Sequence, residues 1–195
     1  MSTFVIDTDV RPDLHRVGSY RDGITEEVVH NETSQSITFD SERFASAIYR
    51  SEVKLVTPFG LRVEMQNKGY KPLNATVCDF LVAHPEAYPE EWKRVTTKAK
   101  WYNRLVPFLG GPVTFAPTIL FLGTHISRGY GYGDEYVRSC RWVTRYDDSG
   151  NKRSYVEQSF EYLTTYSQLP DIPATNYIDS DCFAAYLPQG LLGQV

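Results

Sequence analysis

PTILFLGTHIS, residues 117–127, is the most apolar run in the chain, and its reading decides the fold. It is bounded by a proline and by the glycine-rich RGYGYGD at 128–134. A continuous apolar run of this length suits a strand buried on both faces; a helix of the same character would be longer. It is therefore expected to be the central strand. Its neighbours follow directly in sequence. In YVRSCRWVTRY (136–146) the pattern alternates, with Tyr136, Arg138, Cys140 and Trp142 on one face and Val137, Arg141, Val143 and Arg145 on the other. DDSGN (147–151) has turn chemistry. A third strand over 154–165 sets Val156, Phe160 and Tyr162 against Glu157 and Glu161. Three strands joined by short turns make an antiparallel meander.

Working outward, the 195 residues suit a single domain with a sizeable core. The fold class expected is α+β: an antiparallel sheet of about five strands ending in the C-terminal meander, with two or three helices packed on one face. TFVIDTDV (3–10) reads as a short edge strand, 11–35 as a polar loop or arm, and 188–195 as a tail. Ser36 to Phe39 is extended, and Asp40 with Ser41 offers the N-cap of a short helix, ERFASAIYR, in which Phe44 and Ile48 share a face. EVKLVT and LRVEMQ, on either side of Pro58, Phe59 and Gly60, read as a hairpin with Leu61, Val63 and Met65 pointing one way. Asn74 or Thr76 starts a helix whose inner stripe is Val77, Phe80 and Leu81, and which ends before Pro85. Pro89, Glu90 and Glu91 open a second helix through Trp92, Val95, Ala99 and Tyr102. Near the end, Ser180 or Asp181 caps a short helix over CFAAYL.

Composition excludes several classes. No apolar stretch reaches the roughly 20 residues of a membrane helix, and the start, MSTFVIDTDVRPD, lacks a basic and apolar signal region. Cys78, Cys140 and Cys182 have no paired spacing, so neither a disulfide framework nor a structural zinc site is expected, and the cytoplasm is the expected compartment. No metal or other cofactor is implied. The net charge of −4 gives no general attraction to nucleic acid or membrane. Locally the balance differs: 92–105 carries five cations and no acid, whereas from 147 to the end seven acids face Lys152 and Arg153.

The segments VCDFLVAHPEAYPEEWK (77–93), ILFLGT (119–124) and YVRSCRW (136–142) resemble a recurrent pattern in small uncharacterised bacterial proteins. There a D-F-L-x-x-H/N-P helix precedes a P-E-E-W helix start and a strand ending in G-T. The resemblance spans about residues 70–165, implies one α+β domain, and carries no activity or site.

Four constellations bear on function. His125 and Ser127, two apart on a strand, share a face, as general-base or phosphate-binding chemistry of a phosphodiesterase or nuclease needs. The two-histidine phosphodiesterases use two His-x-Ser/Thr elements, and this chain has one; the alternative is a structural histidine at a strand end. Asp40 with Glu52 and Lys54 has the residue types of a metal-dependent nuclease, and equally of a solvated strand face. Lys93, Arg94, Lys98, Lys100 and Arg104, interleaved with Trp92, Trp101 and Tyr102, offer cations and rings for nucleic acid, or else an amphipathic helix with rings inward and cations reaching water. Tyr130, Tyr132, Tyr136, Arg138 and Trp142 are the residue types of protein-interface hot spots, on a glycine-rich loop and its strand, and equally of an ordinary hairpin loop whose tyrosines fold back on the sheet. With no catalytic constellation complete, the favoured reading is a non-catalytic protein-interaction module, bacterial or phage-encoded, acting on another protein or as a homo-oligomer.

Overall fold

A computed structural model describes residues 3–10, 26–30, 36–51, 58–94, 113–128, 134–147, 149–163 and 182–188. For 26–30, 58–59, 113–115, 126–128, 134–136, 159–163 and 182 it gives the backbone alone. The central strand is β6 (Thr118–Arg128). Ile119, Leu120, Phe121 and Leu122 are each at most 1% exposed, so both faces are covered, as a continuous apolar run requires. Ile119 and Phe121 face one core cluster; Leu120 and Leu122 face another.

β7 (Asp134–Tyr146) pairs antiparallel with β6, and β8 (Lys152–Leu163) pairs antiparallel with β7. The expected meander is therefore present. Its second turn works as the sequence indicates: Asp147 Oδ1 accepts from the backbone N–H groups of Ser149 and Asn151, and Gly150 adopts φ 79°.

The rest of the seven-stranded sheet is less regular than a meander. β5 (Val113–Phe115) continues the lane of β6 along the same edge of β7. On the far edge of β6 lie β2 (Glu26–His30), antiparallel, and β9 (Cys182–Ala185), parallel, with β4 (Ile48–Tyr49) outside β9. The sheet is thus mixed, whereas the sequence reading made it antiparallel throughout. A separate two-stranded sheet joins β1 (Thr3–Ile6) to β3 (Ile37–Asp40).

Helices cover both faces, whereas one face was expected. α3 (Ala75–Ala83) lays Val77, Cys78 and Leu81 on the Ile119, Phe121 and Cys140 side. α2 (Pro58–Asn67) lays Leu61 and Met65 on Leu120, Leu122 and Val137. The expected hairpin over this stretch is corrected accordingly. Leu61 and Met65 satisfy both a period of two and a spacing of four, but Val63, between them, is 36% exposed, as helical spacing dictates. Proline is well placed as the first helical residue. The helix closes with a Schellman motif: Gly69 at φ 76°, Gly69 N–H to Gln66 C=O at 3.0 Å and Tyr70 N–H to Met65 C=O at 2.9 Å.

Four further expectations are corrected. The helix after Asp40 is a single turn, α1 (Ser41–Phe44), capped by Asp40 Oδ1 accepting from Glu42 N–H at 2.9 Å, and Ile48 belongs to β4. CFAAYL is extended, because Ala184 and Ala185 are small enough to lie fully buried beside β6. Within the 11–35 arm, residues 26–30 form β2; the remainder lies outside the described residues. The second helix is a 3-10 turn, Glu90–Lys93, with 95–104 outside the described residues. Residues 189–195 of the expected tail also lie outside them.

A backbone strap, 71–74, ties the two cores. Gly123 N–H donates to Leu73 C=O at 2.9 Å, Leu73 N–H to Ala185 C=O at 3.0 Å, and Leu187 N–H to Lys71 C=O at 2.9 Å. Here the register between β6 and β7 shifts, between Phe121 and His125. Within this stretch Thr124 Oγ1 accepts from Ala75 N–H at 3.0 Å, serving a helix start that the side chain of Asn74 leaves without a cap bond.

Candidate functional site

Past the end of α3, the sheet face beside the β7–β8 turn opens into a cleft. Trp142, Thr144 and Tyr146 alternate along β7, and their register partners on β8 are Val156, Ser154 and Lys152. With Glu90, Lys93 and Ala116, the residues Trp142, Thr144, Tyr146, Lys152 and Ser154 line about 400 Å³.

The wall is built from the chain outward. Trp92 is wholly buried and donates its indole N–H to Ala45 C=O at 3.2 Å, which anchors the 3-10 turn. The next residue, Lys93, is thereby held with Nζ 4.3 Å from the Trp142 ring centre and 2.5 Å from Glu90 Oε1. Tyr88 packs on Trp92 edge-on at 5.7 Å and on Trp142 at 5.7 Å. On the floor, the hydroxyls of Thr144 and Ser154 stand 3.0 Å apart. The cleft thus presents an oriented ammonium, an indole and a hydroxyl pair on rigid strands. Groups of these types can meet polar and aromatic groups of a ligand.

Of the residues singled out for partner binding, Trp142 lies in this cleft and Arg138 lies inside the protein. Arg138 is 6% exposed and donates to Asp79 Oδ1 of α3, which also accepts from Gln158 Nε2 at 2.5 Å. It locks the helix to the sheet. Tyr130, Tyr132 and the side chain of Tyr136 lie outside the described residues. Of the basic set, Lys93 belongs to the cleft and Arg94 pairs with Glu91 at 2.6 Å, largely in solvent; Lys98, Lys100 and Arg104 lie outside the described residues.

His125 sits elsewhere, on the α2 side of the sheet. Its Nδ1 is 2.6 Å from an Arg62 guanidinium nitrogen, which can only donate, so the neutral ring carries its proton on Nε2. Burial first, and then the Arg62 charge, lower its pKa to about 4. A base of that strength is poorly matched to proton abstraction near neutral pH. The Ser127 side chain, Glu52 and Lys54 lie outside the described residues, and the Asp40 carboxylate is engaged in capping.

Two features had no clear signal in the sequence. Cys78 of α3 and Cys140 of β7, 62 positions apart, are free, buried neighbours where the helix meets the sheet, and burial together with the second thiol pushes the Cys78 thiol well up. Glu64 on α2 gathers Tyr49 Oη at 2.5 Å and Ser51 Oγ at 2.6 Å, with Lys68 Nζ at 3.5 Å. The cleft is legible only in part: the sequence shows the alternation of 136–146 that sets Trp142 on one face, but nothing local brings Lys93 to it.

Among the described residues no cluster of three metal-ligating side chains occurs, and no helix is long and apolar enough to cross a membrane. No family model, no curated protein and no solved structure matches the chain.

Proposed function

We propose that the protein is a non-catalytic interaction module of the bacterial cytoplasm, an assembly or inhibitor protein of bacterial or phage origin. It takes a segment of a partner protein into the cleft between the 3-10 turn and the β7–β8 hairpin. The observation that carries this reading is the Lys93 ammonium fixed over Trp142 by Glu90 and by the buried Trp92 anchor. A preorganised cation, an indole and two hydroxyls on strands suit polar and aromatic groups of a polypeptide, and little ordering entropy is lost on binding.

The test is site-specific photo-cross-linking in the native host. A photoreactive residue at Tyr146, 41% exposed at the cleft mouth, is expected to give a discrete adduct. The same residue at Val5, 75% exposed on the separate two-stranded sheet, is expected to give none. Filling the cleft with Ser154→Trp removes the Tyr146 adduct. Equal adducts from both positions, or an adduct indifferent to Ser154→Trp, sink the reading. Tyr130→Ala with Tyr132→Ala, tested in parallel, tells whether the 128–134 loop contributes.

A further inference from the structure

We infer that a second copy of this chain pairs with the edge of β8, antiparallel and centred on Tyr155, to give a two-fold dimer. The reading is independent of the partner cleft.

The first observation is the edge itself. β8 runs in unbroken register with β7 over twelve pairs, from Glu135↔Leu163 to Tyr146↔Lys152, and among the described residues no strand pairs with its other side. A long, unbulged edge presents a row of unpaired backbone donors and acceptors, the template that another strand completes. No proline interrupts it.

The second observation is a charge arrangement that the monomer leaves unbalanced. Arg145 and Arg153 stand directly opposite each other in the ladder, where like charges repel. The nearby acid, Glu157, is already held by Arg141, at 2.7 Å through Nε and 2.5 Å through a terminal nitrogen, and lies 3.9 Å from Arg145. Arg153 is exposed and has no ion pair among the described residues.

Centring two antiparallel copies of β8 on Tyr155 places Arg153 of each opposite Glu157 of the other, on the same face. Each Glu157 then lies between Arg141 of its own chain and Arg153 of the second copy, and Arg153 gains the counter-charge that Arg145 denies it. Tyr155, over which the Arg145 guanidinium sits at 5.7 Å, meets its own copy on the two-fold axis, and an aromatic pair at the centre of an isologous interface is a favourable anchor. Other registers are penalised. Centring on Arg153 or on Glu157 sets identical charges against each other, and centring on Ser154 or Val156 leaves Arg153 opposite no acid, so of these alignments only the one on Tyr155 pairs both charges.

Sedimentation equilibrium of the full chain tests this. The wild type is expected to dimerise with a dissociation constant that rises with salt, and Arg153→Glu to weaken the dimer by at least about tenfold, since it creates two like-charge contacts. Arg153→Glu also relieves the repulsion from Arg145, so the variant is expected to stay folded. Glu157→Arg alone is likewise expected to be monomeric. An equimolar mixture of the two variants restores both opposite-charge contacts and is expected to form a heterodimer. Amide exchange is the second readout, with β8 protected more strongly in the wild type than in Arg153→Glu. A wild-type chain that remains monomeric at high micromolar concentration overturns the proposal. So does a dimer that Arg153→Glu leaves unchanged, or one with the same β8 exchange in both proteins.

Discussion

Replacing Gly123 with alanine tests how tightly the strap at 71–74 holds the two cores together. A Cβ at this position meets Pro72 O at 2.8 Å and the Leu73 carbonyl carbon and oxygen at 2.9 Å each, where ordinary contact begins at 3.4 Å. The strap must therefore withdraw by about half an ångström. It cannot do so freely, because the atoms struck are backbone. Leu73 is wholly buried and its N–H is spent on Ala185, while Lys71 C=O accepts from Leu187. Overpacking costs about 1–3 kcal/mol. Loss of the Gly123 N–H to Leu73 C=O bond adds about 1 kcal/mol. The lower entropy of an unfolded alanine offsets about 0.4–1 kcal/mol. The expected net destabilisation is about 1–3.5 kcal/mol, a fall in Tm of roughly 2–14 °C for a chain of this size. Urea unfolding followed by tryptophan fluorescence, with the m-value checked for constancy, measures it. Gly69→Ala and Gly150→Ala are the controls: neither glycine has an atom within 4 Å of an added Cβ, and each is expected to lose about 1 kcal/mol from its positive φ alone. A loss at Gly123 below about 0.5 kcal/mol refutes the close-approach argument.

Three other outcomes are expected. Thr124→Val keeps the shape and removes the acceptor for Ala75 N–H, so stability falls by about 1–3 kcal/mol; a neutral effect in the same urea assay shows that α3 starts without it. For His125 the folded pKa of about 4 lies below the ordinary 6.5, so the unfolded chain takes up the proton first on acidification. Its contribution is complete above about pH 6.5 and is lost as pH falls towards 4. His125→Gln should flatten the stability–pH slope in that window, and an unaltered slope contradicts the assignment. Arg138→Met strands the part-buried Asp79 carboxylate and should cost about 1–3 kcal/mol, and adding Asp79→Leu should recover part of it. A double-mutant cycle with no coupling rejects the lock between α3 and β7.

Some of the molecule follows from local chemistry. ILFL (119–122) must be buried on both faces, whatever covers it. The alternation in 136–146, the DDSGN turn, the cap at Asp40 and the helix ending before Pro85 are each fixed by residues within a few positions of one another, and each is present. Gly69 as the terminator of α2 is equally local.

What the sequence could not decide is long-range. Leu61, Val63 and Met65 fit a strand as well as a helix until the second sheet face, Leu120, Leu122 and Val137, requires a cover at helical spacing. CFAAYL has the residues of a short helix, but two buried alanines let it lie in the sheet beside β6. Lys93 and Trp142 belonged to two separate functional readings, and Trp92, docked on Ala45, brings them together. Arg138 looked like a surface contact, and Asp79, 59 positions away, takes it inside. By itself the sequence determined the spine, the meander and the caps, because those depend on period and on neighbouring residues. The tertiary structure alone decided which face each helix covers and which side chains meet in the cleft, because burial and charge pairing depend on partners that chain order does not place side by side.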